Sequence, residues 1–503
     1  MKLTLTENSQ KCCSFEILNK VGYMNGIELN KLYHFDEMFD DTSKPHSCYM
    51  DYNEWLSCEE PGNLKKQQIE ANEFFKKIGI TFNVYGDLDE EERIIPFDII
   101  PRIISEQKWL EISKGIEQRV KALNFFLNDI YNQQEIIKAG ILPLDLIKNN
   151  ASFLNEMVGF TPPGGIYTHI IGIDLVRTPN EDFVVLEDNT RTPSGVSYMI
   201  ENRQTMLQIF PELFDKIKIK NVTNYPLSLL KSLKECCSIN KNSKKVIAIL
   251  TPGSHNSAYF EHAFLADEMG VELIEGNDLK IKDKKVCMRT TQGYKPIDII
   301  YKRVDDDFLD PLTFNPTSIL GVPGLMDVYK SGNLILANAP GSGIADDKAI
   351  YSYIPDIINF YIGEKPLLKN VKTWRCSEKA HLKYVIDNLD SLVIKEVHGS
   401  GGYGMLIGPK STKKKIAFFK KKILQNPNKY IAQPTLELST VPILTNKGLS
   451  SRHIDLRPFV LVSPKSINIT PGGLTRVALK DGSLVVNSSQ GGGTKDTWVL
   501  EEF

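Results

Sequence analysis

One segment of the chain alternates strand, helix and strand patterns, and this alternation restricts the fold more than any other feature. Residues 246–250 form a short apolar run, residues 259–269 have a helical composition, and residues 271–274 return to a strand pattern. Two strands joined through a helix run parallel, because the crossover returns the chain to the edge that it left. The segment therefore predicts an α/β fold with a parallel sheet, which residues 297–301 and 334–337 continue.

The length and the charge of the chain exclude several classes of protein. At 503 residues it exceeds the size at which one hydrophobic core keeps growing, so we expect about two to four packed subdomains. Lys and Arg total 60 against 62 Asp and Glu, which provides no general attraction for nucleic acid or for an anionic membrane. The polar start of the chain and the lack of a long apolar run predict a cytoplasmic protein without a membrane partner.

A glycine-rich loop follows the strand-like residues 392–395, which end at Lys395. Closely spaced glycines let backbone N–H groups approach phosphate oxygens, and a lysine on the strand adds a positive charge. The pattern predicts a lid over the phosphates of a nucleotide, although a tight turn without a ligand would have the same composition. The loop consists of Gly399, Ser400, Gly401, Gly402, Tyr403 and Gly404.

Two acids and an amide occupy a predicted hairpin. Residues 170–176 and 183–186 are apolar runs separated by a turn-forming Thr-Pro-Asn sequence. Alternation along a strand places Glu187 and Asn189 on one face, and Asp174 on the adjoining strand can face them. Such hard oxygen donors suit Mg²⁺. A solvated row of acids at the edge of a sheet is the alternative interpretation.

Basic side chains form a third set. Lys348 stands at a predicted helix start, and Arg457 and Arg476 lie in later strand-like runs. A guanidinium at an active site would stabilise charge on a transferring phosphoryl group. Because Asp455 is close to Arg457 in sequence, a structural ion pair is the alternative.

Three of these patterns together resemble a known enzyme superfamily. GIDLVR…FVVLEDNTRTPSG is similar to the metal-binding hairpin of ATP-grasp enzymes, GSGIADDKAIY to their Asp-Lys helix start, and LVIKEVHGSGGYGM to their lysine strand and phosphate lid. In the ordinary order the hairpin comes last, whereas here it comes first. The longer phrases TPPGGIYTHIIGIDLVR, YKRVDDDFLDP and VNSSQGGGTKDTWVL resemble the circularly permuted ATP-grasp type 2 family, which is distantly akin to glutathionylspermidine synthetases.

The resemblance implies a circularly permuted ATP-grasp fold of α/β class, made of α+β lobes, and a division of the chain into four parts. Residues 1–80 would be a helical or irregular N-terminal segment, and residues 81–240 an ATP-grasp lobe that carries the metal hairpin. Residues 241–345 would be a Rossmann-like substrate domain, the pre-ATP-grasp domain. Residues 346–503 would form the nucleotide lobe with its lysine strand, lid and hinge, and return to the metal lobe.

The resemblance also implies roles for individual residues. Asp174, Glu187 and Asn189 would hold Mg²⁺, with two ions expected, and Lys348, Lys395 and the 399–404 loop would contact ATP phosphates. Gln433 would meet the adenine, and Arg457 and Arg476 would be the catalytic cations. In one departure from the pattern, Gly172 stands where many relatives carry arginine, so a cation must come from elsewhere.

The implied activity is that of an ATP-dependent ligase. It would join a carboxylate, of an amino acid or a peptide, to an amine or a thiol through an acyl-phosphate, with release of ADP. A nucleotide-binding protein without catalysis, or one that needs a partner, and an ATP-dependent phosphotransferase are the alternatives. Ser254, Glu261, Arg303 and Asp305 are hypotheses for substrate contacts, and the sequence leaves the substrates and the oligomeric state open.

Overall fold

The structure is a computed structural model that describes residues 35–82, 93–180, 182–237, 245–399, 404–487 and 491–502. No helix within these ranges combines the length and the apolar character needed to cross a membrane. The α-helices are Met50–Cys58, Pro61–Ile78, Glu106–Tyr131, Glu135–Lys138, Leu144–Lys148, Val196–Ile209, Pro211–Lys216, Tyr225–Cys236, Tyr259–Met269, Leu325–Lys330, Lys348–Tyr351, Ile354–Ile362, Lys379–Asp387 and Lys413–Gln425.

Ten strands of the described chain form one mixed sheet, called here the large sheet. It joins distant parts of the sequence, because Phe97–Ile104 runs parallel to Gly493–Val499 near the other end of the chain. The predicted hairpin lies in this sheet. The strands are Phe97–Ile104, Ile170–Arg177, Phe183–Asn189, Lys369–Asn370, Thr440–Thr445, Gly448–Arg457, Phe459–Val462, Ile467–Ile469, Leu474–Val477 and Gly493–Val499.

Four strands form a second sheet in which every pairing is parallel, called here the parallel sheet. In spatial order they are Ile335–Ala337, Ile299–Lys302, Ile247–Leu250 and Glu272–Ile274. The strand, helix and strand predicted from the sequence are confirmed, since helix Tyr259–Met269 joins the last two strands. A small antiparallel sheet, which the sequence did not predict, is inserted after them and consists of Leu279–Lys282, Lys285–Thr290 and Gly293–Pro296.

A third sheet contains the predicted lysine strand and is called here the lysine sheet. Its strands are Trp374–Arg375, Tyr430–Pro434, Leu392–Glu396 and Leu406–Ile407 in spatial order. Phe419 and Ile423, from the lysine-rich helix, are buried in its hydrophobic cluster. The lysines of that helix, Lys413–Gln425, therefore lie on the side away from the sheet, so the helix is amphipathic. A separate two-stranded pair joins Thr81–Phe82 to Arg93–Ile94.

The long helix Glu106–Tyr131 packs against two cores. Ser105 caps it by accepting a hydrogen bond from the Lys108 N–H. Toward its N-terminal end, Ile112, Ile116 and Val120 belong to a cluster with residues of the large sheet. In its second half, Leu123, Leu127 and Ile130 belong to a cluster with residues of the parallel sheet. The apolar side of this helix is thus shared between the two sheets.

A buried ion pair holds the first described residues against the large sheet. Arg102 donates from Nε to Glu37 Oε2 at 2.9 Å and from Nη2 to Glu37 Oε1 at 2.6 Å, and neither side chain is exposed to solvent. Arg102 also donates from Nη1 to the Asp455 carbonyl at 3.1 Å, and Ser439 Oγ donates to Glu37. A buried charge is tolerated only when its partners are present.

Replacing Arg102 by methionine should therefore lower the free energy of unfolding by about 3–5 kcal/mol, because Glu37 would be left buried without its main cation. The double variant Arg102→Met/Glu37→Met should lose less than the single variant. Lys121→Met, which removes an exposed pair with Glu117, should cost under about 1 kcal/mol and serves as the control. Urea unfolding measures all three, and equal losses in the single and double variants would contradict the role given to the pair.

Candidate active site

A cavity of about 730 Å³ lies between the large sheet, the lysine sheet and loops next to the parallel sheet. Its lining includes Asp174, Glu187 and Asn189, both predicted lysines, Gly399, Gln433 and both predicted arginines, together with Asp305. Residues from five separate regions of the sequence, 174–189, 305, 348, 395–433 and 457–476, therefore meet at one place. Ser400, Gly401, Gly402 and Tyr403 lie outside the described residues.

The predicted hairpin is confirmed, and its register explains how the acids meet. Asp174 lies directly opposite Glu187, and Gly172 lies opposite Asn189. A bulge follows Asp174, so the strand changes its register there. Alternation then places Glu187 and Asn189 on one face of the strand.

Two guanidiniums hold the carboxylate of Asp174. Arg457 donates from Nε to Oδ1 at 2.5 Å and from Nη2 to Oδ2 at 2.8 Å, and Arg476 donates from Nη2 to Oδ2 at 2.7 Å. Burial alone would raise the pKa of Asp174, but the two arginines outweigh it and hold that pKa well below its usual range. Asp174 is therefore an anion with both oxygens engaged.

Arg476 joins Asp174 to a second buried acid. Its Nε donates to both oxygens of Asp455 at 3.0 Å, and burial raises the pKa of Asp455. The structural ion pair considered for Arg457 and Asp455 is replaced by this arrangement, in which Arg457 pairs with Asp174 and Arg476 pairs with both acids. The cluster contains two guanidiniums and two carboxyl groups.

The space next to Gly172 is filled by Arg457. A Cβ atom at Gly172 would lie 3.2 Å from Arg457 Cδ and 3.1 Å from Pro193 Cβ. Glycine therefore leaves room for the stem of Arg457 to cross the strand and reach Asp174. Arg457, which ends the antiparallel strand Gly448–Arg457, therefore brings a positive charge to the space beside position 172.

Both predicted lysines reach the same cavity. Lys348 donates from Nζ to the Gly399 carbonyl at 2.6 Å, and its Nζ lies 3.8 Å from Glu187 Oε2. Asp347 caps the short helix that begins at Lys348 by accepting from two backbone N–H groups. Burial lowers the pKa of Lys395, and the Glu187 carboxylate opposes that effect.

Gln433 lies in an apolar part of the cavity. It pairs with Val393 across the lysine sheet, and its Nε2 donates to Thr373 Oγ1 at 3.0 Å. Val393 and Ile407 line the cavity from the same sheet, and other apolar residues of the cavity lining include Leu186, Met405, Leu436, Leu438, Leu484 and Val486. Apolar walls with a few polar groups are typical of sites for flat organic ligands.

Arg191 and Asp346, which no sequence motif singled out, also line the cavity and with Asp305 form a polar part of its wall, called here the polar end. Arg191 lies 3.7 Å from Asp305 (Nη1 to Oδ1) and 3.9 Å from Asp346 (Nε to Oδ2). Asp346 accepts at Oδ1 from the N–H and from Oγ1 of Thr190, the latter at 2.7 Å. The positions of both residues in the sequence could have indicated them. Arg191 is two positions beyond Asn189 and so continues the alternation of that strand, and Asp346 directly precedes the Asp347-Lys348 pair.

The four predicted substrate residues lie in different places. Asp305 lines the cavity. Glu261 and Arg303 are buried and pair with each other at 3.1 Å, behind a turn that forms part of the wall. Ser254 is exposed and is not among the lining residues, whereas Ser257 is.

The oxygen donors of the hairpin can be tested for their fit to Mg²⁺. In the described ranges, no group of three or more acids, histidines and cysteines could hold a metal ion. Mg²⁺ brought in by a nucleotide, however, needs only one or two protein ligands besides phosphates and water. Glu187 and Asn189 fit that need, because the Asn189 amide nitrogen faces Asp174 at 3.5 Å, which leaves its oxygen for a cation. The oxygens of Asp174 are already engaged by arginine.

The environment of Asp346 predicts a dependence of stability on pH. Burial raises its pKa to about 6, so the folded protein binds this proton more tightly than the unfolded chain does. The resulting stabilisation is present at low pH and is lost as the pH rises through 6. From pH 5 to pH 7, the free energy of unfolding should therefore fall by about 1 kcal/mol more in the wild type than in Asp346→Asn. Urea unfolding at both pH values measures this, and parallel changes in the two proteins would contradict it.

Relatives of the chain are found among bacterial proteins. An uncharacterized protein of Synechocystis sp. is 50% identical over 467 residues, which are 93% of this chain and 97% of that protein. An uncharacterized protein of Mycobacterium tuberculosis is 47% identical over 466 residues, covering 93% of this chain and 84% of that one. A Frankia alni protein that bears the name of a glutamate–cysteine ligase is 39% identical over 424 residues. Those residues are 84% of this chain but 48% of that protein, so the chain spans about half of its length.

The fold is similar to that of a solved structure, and a family model matches most of the sequence. The solved structure of a glutathione synthetase-like effector from Globodera pallida matches with a TM-score of 0.56 and 12% identity, over 88% of this chain and 98% of that one. This likeness concerns the fold alone. The family model described as circularly permuted ATP-grasp type 2 matches residues 101–478. The chain therefore belongs to the circularly permuted ATP-grasp type 2 family.

Proposed function

We propose that the chain is an ATP-dependent ligase that joins a carboxylate to an amine or a thiol through an acyl-phosphate. The observation that carries this proposal is the gathering of Lys348, Lys395, Arg457 and Arg476 around Asp174 and Glu187 in one cavity. Phosphoryl transfer needs cations that neutralise spreading charge and a site that orients the reactants, and it needs little covalent help from the protein. Family membership supports the use of ATP.

The apolar end of the cavity suits the base of ATP. Gln433 offers a polar group between apolar walls, which could distinguish adenine from other bases through its amide. Lys348 and Lys395 lie further along the cavity, where phosphates would meet them. The carbonyl of Gly399, held by Lys348, fixes the start of the glycine-rich loop.

Mg²⁺, when bound, would neutralise phosphate charge, and Glu187 and Asn189 are the residues that would hold it. We propose that Asp174 acts mainly through its arginines. It holds Arg457 and Arg476 in fixed orientations, and their remaining N–H groups can face an oxygen that gains charge. Whether Asp174 also contacts an ion, as the family resemblance implies, and whether two ions bind stay predictions.

The reaction would proceed in two balanced steps. A carboxylate oxygen of the substrate attacks the γ-phosphorus of ATP, the bond to the β–γ bridging oxygen breaks, and ADP leaves. The amine or thiol then attacks the acyl carbon, the carbon–oxygen bond to phosphate breaks, and the nucleophile gives up its proton. Asp346 has an oxygen next to Arg191 in the polar end, where a carboxylate could receive this proton.

The names of the relatives support amino acids or short peptides as substrates. One relative is named for glutamate–cysteine ligation, and one structural neighbour is glutathione synthetase-like. Because the chain spans only 48% of that named relative, glutamate and cysteine are compounds to test and not assigned substrates. Arg191 at the polar end suits a substrate carboxylate.

The test measures ADP, AMP and orthophosphate release from Mg²⁺-ATP in the presence of amino acids, short peptides and polyamines. Release of ADP that depends on an acceptor is expected in the wild type. Glu187→Gln and Lys395→Met should each reduce the turnover number about 10²–10³-fold, as loss of one stabilising contact does. Glu73→Gln and Lys414→Met, which change residues outside the cavity lining, are the matched controls and should keep full activity.

Each alternative has its own result. ADP release with a stable phosphorylated product and no need for an acceptor would indicate a phosphotransferase. Tight ATP binding without turnover on any acceptor would indicate a binding protein or a need for a partner. Unchanged turnover in both Glu187→Gln and Lys395→Met would contradict the proposed site.

A further inference from the structure

A buried ion pair lies directly behind the turn formed by residues 192–197, which leads from the hairpin into helix Val196–Ile209. Glu261 comes from helix Tyr259–Met269, and Arg303 follows a strand of the parallel sheet. Their side chains are 1% and 2% exposed, and Arg303 Nη2 lies 3.1 Å from Glu261 Oε1. Neither lines the cavity, although Thr192, Ser194 and Gly195 of the turn do.

Glu261 occupies the start of helix Val196–Ile209. Its Oε2 accepts from the N–H groups of Gly195 at 2.7 Å and Ser197 at 3.2 Å, and from Ser197 Oγ at 3.1 Å. The positive end of the helix is therefore satisfied by a carboxylate of the protein. The N–H groups of Gly195 and Ser197 are therefore already engaged and are not available to an anionic ligand in the cavity.

Arg303 holds the middle of the same turn. It donates from Nη1 to the Pro193 carbonyl at 2.7 Å and to the Tyr301 hydroxyl at 2.9 Å, and from Nη2 to Ser194 Oγ. From the cavity side, Arg457 donates from Nη1 to the Ser194 carbonyl at 3.1 Å. The turn thus lies between two guanidiniums, one behind it and one in the site.

These contacts determine what the Ser194 hydroxyl can do. Its oxygen accepts from Arg303, so its hydrogen remains for donation, and the Thr192 carbonyl within the same turn is 3.5 Å away, which is long for a hydroxyl bond. A hydroxyl that accepts from a cation becomes a stronger donor. Because Ser194 lines the cavity, this remaining hydrogen can be donated to an oxygen there.

We propose that Ser194 donates a hydrogen bond to a substrate oxyanion, either the carboxylate or the phosphoryl group that it receives, and that Glu261 and Arg303 position it. The inference rests on the proposed ligase function for the identity of the oxyanion. It assigns Glu261 and Arg303 to positioning and not to substrate contact. It also gives the parallel-sheet region a role in shaping the site on the large sheet.

The first test compares the kinetics of Ser194→Ala, Arg303→Lys and the double variant. Each single variant should lower the turnover number at least tenfold, with the KM for ATP unchanged, because the lysines and the apolar end are untouched. The double variant should be no worse than the more affected single variant, since both changes remove the same hydrogen bond. Losses that multiply in the double variant, or an unchanged turnover number in Ser194→Ala, would overturn the inference.

Two controls separate positioning from folding. Tyr301→Phe removes the hydroxyl that accepts from Arg303 without touching the turn, and it should stay within twofold of the wild type. Arg203→Lys disturbs another buried ion pair on the same helix, with Asp496 at 2.7 Å, away from the cavity lining. It should lower thermal stability much as Arg303→Lys does, while turnover at a temperature where both are folded stays near wild type.

A second test does not need turnover. Orthophosphate, used as an oxyanion probe, should slow amide hydrogen exchange in the segment 193–199 of the wild type, and this protection should be lost in Ser194→Ala. Absence of protection in the wild type, or equal protection in Ser194→Ala, would overturn the inference whatever the activity. Protection present without acceptor-dependent ADP release would contradict the proposed function alone.

Discussion

The carboxylate of Asp174 can be buried as an anion only because two guanidiniums reach it from neighbouring strands. Those contacts require Ile170–Arg177, Gly448–Arg457 and Leu474–Val477 to lie side by side in one register. Gly172 is part of the same constraint, since a side chain there would obstruct the stem of Arg457. Two arginines at the centre of the large sheet therefore neutralise the buried carboxylate of Asp174. The cavity that this sheet lines consequently contains two guanidiniums in fixed orientations.

Local patterns in the sequence were sufficient to predict the hairpin and the parallel sheet. Period-two alternation was sufficient to predict the hairpin and to place Glu187 and Asn189 on one face, because strand geometry depends on nearest neighbours. The parallel sheet followed from one strand, helix and strand segment. The division into four domains, the Rossmann-like nature of the region 241–345 and the roles of the site residues stay predictions.

Contacts between distant residues could not be predicted from such patterns. Nothing local indicates that Phe97–Ile104 pairs with Gly493–Val499, or that Arg457 pairs with Asp174 and not with nearby Asp455. Glu261 and Arg303 illustrate the same limit, because an acid and a base in sequence do not reveal whether they face a ligand or the back of a turn. Arg191 and Asp346 differ from that pair, because both stand within or directly beside the recognised motifs and line the cavity.

The helix Glu106–Tyr131 has a mechanical consequence for the whole molecule. This single helix packs in the hydrophobic cores of both the large sheet and the parallel sheet. The two sheets therefore cannot rotate relative to each other without breaking apolar contacts along the helix. The lysine sheet has its own hydrophobic cluster, built around residues such as Trp374, Ile394 and Phe419. No residue of the long helix belongs to that cluster, so a displacement of the lysine sheet would leave the contacts of the helix with the other two sheets unchanged.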